Sequence, residues 1–171
     1  MHSEVLLEFK KWYVANEEFV NNATIAELGS YDINGNIKHL VPNSIGFDLG
    51  DGPNVDVLIE PGVIPDEHIG RYNLVISISS FQFCPYPEQY KKEILDLLCA
   101  DGLLFLTMCS PECKKGHTTS LNKYEFTDSL RMTHNELREL FQDDFEILEL
   151  YDLERMYEDQ HNDTILKAKK K

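Results

Sequence analysis

Short apolar runs recur along this chain at strand length, and several are separated by segments with helical spacing. They fall at 23–28 ("ATIAEL"), 44–48 ("SIGFD"), 55–59 ("VDVLI"), 73–79 ("NLVISIS") and 102–108 ("GLLFLTM"). Near-continuous apolar strands belong to a parallel sheet covered on both faces, because a sheet wetted on one face alternates polar and apolar residues. Between the last two runs, "YPEQYKKEILDLLCADG" sets Tyr90, Ile94, Leu97 and Leu98 at helical spacing, with Pro87 in the first turn and Gly102 as the stop. Ahead of them all, residues 3–20 place Leu6, Phe9, Tyr13 and Val20 near one face of a helix.

The C-terminal part adds "RMTHNELRELF", with a capping box of Thr133 and Glu136 and a hydrophobic staple of Met132 and Leu137. Two further strands, 145–151 and 163–169, are expected to pair antiparallel at the sheet's end. The expectation is an α/β, Rossmann-like three-layer sandwich whose seven-stranded sheet is mostly parallel with an antiparallel C-terminal strand. One domain over 1–171 suits the length: an N-terminal helix (1–20), a ligand-binding core (23–110), a substrate-side loop (111–131), and a final helix and strand pair (132–171).

Charge narrows the partners. The formal net charge is −14, and four of the 16 Lys and Arg sit in the terminal "KAKKK", so the rest is more acidic still. Such a surface repels phosphate backbones, which argues against nucleic acid. No apolar stretch spans a membrane, and "MHSEVLLEFKKW" lacks the layout of a secretory signal, so a cytoplasmic protein with reduced thiols is expected. Cys109, Cys113 and His117 form a C-x3-C-x3-H string, but no fourth ligand is evident and no metal is expected.

"AELGSYDING" (26–35) follows the first sheet strand, where a ligand crevice opens in such folds. Asp48 ends the second strand 19 residues after Gly29, the spacing at which a carboxylate accepts from ribose hydroxyls. The glycines depart from the dinucleotide G-x-G-x-x-G pattern, and Glu27 and Asp32 would repel a pyrophosphate. S-adenosylmethionine carries an ammonium and a sulfonium and no phosphate, so charge type favours it over NAD.

"AELGSYDING", "GFDLGDGPNVDVLIE" and "YNLVISISSFQFCPYPEQYKKEILDLLCADGLLFLTMCS" together resemble a class I S-adenosylmethionine-dependent methyltransferase, of the small type 11 kind, over roughly residues 23–110. The resemblance implies that Glu27 and Gly29 line the pocket around the methionine portion, with Ser30, Asp32 and Gly35 completing the loop. It implies that Asp48 binds the ribose diol, Leu49 packs on adenine, Glu60 lies near the adenine amino group, and Ser77, Ile78 and Ser79 face the methionine end. Two departures stand out: the first motif lacks a middle glycine, and "SSFQFC" carries Gln82 and Phe83 where many relatives have Glu and His. His117 and Tyr124, in the loop that overhangs the crevice, are the candidate acid–base groups.

Bland readings stand beside these. Asp32 could cap a short helix near Asn34 and Gly35, and Glu60 could sit in a solvated loop. The expected activity is in-line methyl transfer to a small-molecule acceptor, with a protein partner or a homo-oligomer as a further partner class. The alternatives are a cofactor-binding subunit without chemistry that supports a partner, and a nicotinamide-dependent oxidoreductase, which the missing glycines disfavour.

Overall fold

A computed structural model of the protein describes residues 3–33, 35–113, 118–121, 124–128, 130–153 and 162–171. The chain opens with α1 (Ser3–Ala15) and α2 (Glu17–Asn22), then β1 (Ile25–Leu28), β2 (Ile45–Asp48), β3 (Val57–Leu58) and β4 (Tyr72–Ile78). Next come α3 (Pro87–Leu97), β5 (Leu98–Cys109), a hairpin of β6 (Thr118–Leu121) and β7 (Tyr124–Thr127), α4 (His134–Phe141), β8 (Phe145–Leu153) and β9 (Asp163–Lys170).

Seven strands form one sheet in the order β3-β2-β1-β4-β5-β9-β8. The first five pair in parallel, and β9 runs antiparallel to both β5 and β8. Strand order reverses between β1 and β4, which is where such a sheet opens a crevice at its carboxyl edge.

The period of two along β4 divides the interior. Leu74 and Ile76 join Phe9 of α1, Phe105 and Ile165 in one core, while Val75 joins Ile94 and Leu97 of α3 and Leu137 and Phe141 of α4 in the other. Helices on both faces give the three layers expected.

α3 takes Pro87 in its first turn. α4 starts with the capping box: Glu136 N–H donates to Thr133 Oγ1 (3.3 Å), and Thr133 N–H donates to Glu136 Oε2 (2.7 Å). Met132 and Leu137 both belong to the α3-side core.

Four local expectations differ. The N-terminal helix breaks at Asn16, whose side-chain amide donates to Trp12 O (2.8 Å) in competition with the helix ladder. Between β1 and β2 there is no α-helix among the described residues; Leu40 and Val41 both donate to Ile37 O, closing a turn instead. Gly102 does not stop α3, which ends at Leu97 and runs straight into β5. The register jumps from Tyr72–Leu98 to Leu74–Leu103, so Gly102 lies in an irregular stretch beside Asp101, whose φ is 61°. The segment 111–131, expected to be loop, holds the hairpin β6–β7.

Candidate functional site at the sheet's switch point

β1 delivers Glu27 and Leu28 to the carboxyl edge, and the chain then turns across β2: the amides of Gly29 and Ser30 both donate to Phe47 O (2.9 and 3.2 Å). Gly29 has φ 79°, and a side chain there would collide with Ser80, so the turn requires glycine. Glu27 is buried at 6% exposure, and its Oε2 has no hydrogen-bond partner among the described residues. Burial pushes its carboxyl up to about 7; Lys38 opposes this, while Asp32, Asp48 and Asp56 reinforce it. Lys38 is itself engaged by Asp56 (3.1 Å) and Ser44 O.

Asp48 closes β2, nearly buried, and takes an amide on each oxygen: Tyr31 N–H on Oδ2 (2.9 Å) and Gly50 N–H on Oδ1 (3.0 Å). Burial raises its pKa, and the amides of Tyr31, Gly50 and Leu49 oppose the rise. The loops after β1 and β2 are stitched further by Asp32 N–H to Pro53 O (3.1 Å), and the Tyr31 ring lies against Gly52. Asp32 also shapes its own turn, accepting from Gly35 N–H (2.7 Å) and the Asn36 side chain (2.6 Å), a turn-stabilising role in place of the helix cap expected. Ser30 is buried with an unpartnered Oγ.

At β4 the three neighbouring candidates part company. Ser77 is fully buried, and its Oγ meets Tyr90 OH at 2.7 Å. Ile78 packs into the α1-side core. Ser79 has φ 54°, its N–H reaches Thr107 O (3.1 Å) and Thr107 Oγ1 (3.0 Å), and its own Oγ is buried without a partner. A non-glycine residue at such a φ costs on the order of 1–3 kcal/mol and clusters at ligand clamps.

Glu27, Gly29, Ser30, Asp48, Ser77 and Ser79 therefore converge on the ends of β1, β2 and β4. Leu49 is half-buried against the α3-side core, and Gly35 and Glu60 are exposed. His117 lies outside the described residues; Tyr124 contributes backbone to β7, and its side chain is likewise not described.

Among the described residues no group of three metal-ligating side chains is assembled, and no helix is long and apolar enough to cross a membrane. Burial pushes the Cys109 thiol up to about 12, away from the range of a reactive thiolate.

Sequence reasoning missed Tyr31, Ser80 and Tyr90 as residues of this crevice. Tyr90 reads as one apolar position of a helical face, and its spacing says nothing about where its hydroxyl ends.

No family model matches the sequence, and no curated protein matches it. Solved structures do match. An S-adenosylmethionine-dependent methyltransferase from Methanosarcina mazei aligns over 86% of this chain and 92% of its own at TM-score 0.65 and 13% identity. One from Mesorhizobium loti aligns over 91% and 98% at TM-score 0.62 and 11% identity. A 1,6-didemethyltoxoflavin-N1-methyltransferase from Burkholderia thailandensis, solved with 1,6-didemethyltoxoflavin and S-adenosylhomocysteine, aligns over 98% and 88% at TM-score 0.60 and 13% identity. The fold of this chain is that of the class I S-adenosylmethionine-dependent methyltransferases.

Proposed function

We propose that the protein is an S-adenosylmethionine-dependent methyltransferase that acts on a small-molecule acceptor by in-line methyl transfer, with residues 23–110 binding the cofactor and 111–131 facing the acceptor. The observation that carries this reading is Glu27: a buried carboxylate with an unpartnered oxygen at the end of β1, beside the Gly29 turn. A buried carboxyl of this kind calls for a cationic or hydrogen-bond-donating partner.

The residues fit S-adenosylmethionine. Glu27 would hold the ammonium of the methionine end, with the Ser79 hydroxyl beside β4 as a further polar contact. Asp48 would take the ribose diol, since a carboxylate offers about four acceptor sites and the loop amides leave some of them open. Gly29, Ser30, Asp32 and Gly35 would shape the loop, Leu49 would cover adenine, and Glu60 would lie by its amino group. Ser77 acts from behind through Tyr90, and Ile78 supports the strand end from the α1 side. When bound, S-adenosylmethionine supplies an electrophilic methyl group on a sulfonium sulfur. The chain's own task is then to orient the acceptor and exclude water. His117 and Tyr124 are its proposed proton-handling groups.

The Burkholderia thailandensis neighbour is one fold relative solved with a small molecule in place, which supports a small acceptor here. A second reading, a cofactor-binding subunit without chemistry that supports a partner protein, is favoured by Gln82 and Phe83 on the turn after β4, neither of which can take up a proton. A cytoplasmic location is part of this reading.

Calorimetric titration with S-adenosylmethionine, S-adenosylhomocysteine and NAD tests the cofactor. Micromolar binding of the sulfur nucleosides, lost in Asp48→Ala and absent for NAD, is expected. Binding of none of them overturns the proposal. Binding without turnover across an acceptor screen selects the second reading.

A further inference from the structure

One face of α3 touches both the end of β1 and the loop that follows β3. Tyr90, buried in that helix, sits with its hydroxyl 2.7 Å from Ser77 Oγ and 3.3 Å from Leu28 O, the carbonyl that closes β1 just before Gly29. The phenol O–H can donate to Leu28 O, and in its pair with Ser77 Oγ either hydroxyl can be the donor.

Three residues on, and so on the same side of the helix, Glu93 is also buried, at 5% exposure. Its Oε1 accepts from Gly62 N–H at 2.5 Å, in the loop that follows β3. Gly62 has φ 77°, and a Cβ there would lie 2.5 Å from the Gln89 side-chain nitrogen. That loop is closed by Val63 N–H to Glu60 O (3.0 Å), so the backbone of Glu60 is set through it. β1 and β3 are not neighbours: β2, which carries Asp48, lies between them. α3 itself is anchored by the fully buried Ile94 and Leu97 and by Lys91, which reaches Leu140 O (3.0 Å) and Asp144 (3.2 Å).

We infer that Tyr90 and Glu93 are positioning residues that make α3 the gauge of the site, Tyr90 fixing the end that receives an amino-acid tail and Glu93 the end that receives the base. The inference rests on the S-adenosylmethionine reading above. It divides the ligand between two hydrogen-bonded posts on one rigid element, and each post can be removed without touching the other.

The test is titration of the full chain with S-adenosylhomocysteine and with methylthioadenosine, which keeps the nucleoside and thioether but lacks the amino-acid tail. Tyr90→Phe should weaken S-adenosylhomocysteine about tenfold, the scale of one lost hydrogen bond, and leave methylthioadenosine within about twofold. Glu93→Gln should weaken both about tenfold.

A merely structural role would lower both affinities alike in both variants, in step with the melting temperature, and that result overturns the inference. So does unchanged binding, or a wild-type protein that binds S-adenosylhomocysteine but not methylthioadenosine. Should either variant fail to fold, Ser77→Ala removes the same post from the strand side and Gly62→Ala displaces the same loop, with the same two patterns expected. A wild-type protein that binds neither ligand overturns the site reading itself, a result distinct from all of these.

Discussion

Glu27 is a carboxylate that the fold holds close to neutrality. Burial raises it from 4.5 to about 7, and Glu93 is raised similarly. A carboxyl whose folded pKa lies above its unfolded one binds more protons when folded, so its contribution is full below about 4.5 and is lost as pH rises through about 7. Glu27→Gln removes that loss. Denaturant melts at pH 5 and pH 8 should find the variant gaining stability relative to wild type at the higher pH, by up to about 3 kcal/mol. A difference that stays constant between the two pH values would contradict the burial of this charge.

A cationic ligand end beside Glu27 would draw it to the charged form. Binding of S-adenosylhomocysteine near pH 6 should therefore release up to about one proton, read as a calorimetric enthalpy that depends on buffer ionisation heat. Glu27→Gln should abolish that dependence. The positions of Glu27 and Asp48 were legible in the sequence because strand-end carboxylates beside a glycine turn follow from local pattern. Tyr31 and Tyr90 were not, because their roles depend on a neighbouring loop and on a strand 62 residues away.

Among the elements, α4 is the one whose ends the sequence specified best. Its start is fixed by two reciprocal bonds between residues three apart, a purely local signal. Thr133→Ala should cost about 1 kcal/mol, seen as a lower melting temperature with no change in ligand affinity. The seven strands of the main sheet were legible too, each within a few residues; in β1, β2 and β4 burial on both faces writes a near-unbroken apolar run. Where the local signal is balanced, the sequence misleads: Asn16 competes with the ladder it sits in, and Gly102 looks like a helix stop but serves a strand irregularity. The hairpin β6–β7 was hidden because "TTSLNKYEFT" is polar enough to read as loop and carries no turn signature of the Asn-Gly kind.

Across the whole molecule, two cores on opposite faces share the sheet, and the α1-side core centres on an aromatic cluster. Phe105 packs edge-on to Phe9 (5.1 Å between ring centroids) and against Trp12 (5.3 Å). Phe105→Ala should cost about 3–5 kcal/mol and shift the emission of Trp12, the only tryptophan, in the folded state. Such a variant should still bind S-adenosylhomocysteine below its melting temperature, because the crevice is framed from the other face by α3.

The place of β9 has a consequence for how the chain is made. β8 leaves the ribosome before β9, yet it joins the sheet only through it, and β5 presents a bare apolar edge until β9 arrives. A nascent chain paused short of Asp163 therefore carries an open template for mispairing alongside a strand with nothing to bind. Slowing translation across that stretch should therefore lower the soluble yield, which a comparison of slow-codon and fast-codon versions of the same sequence would read.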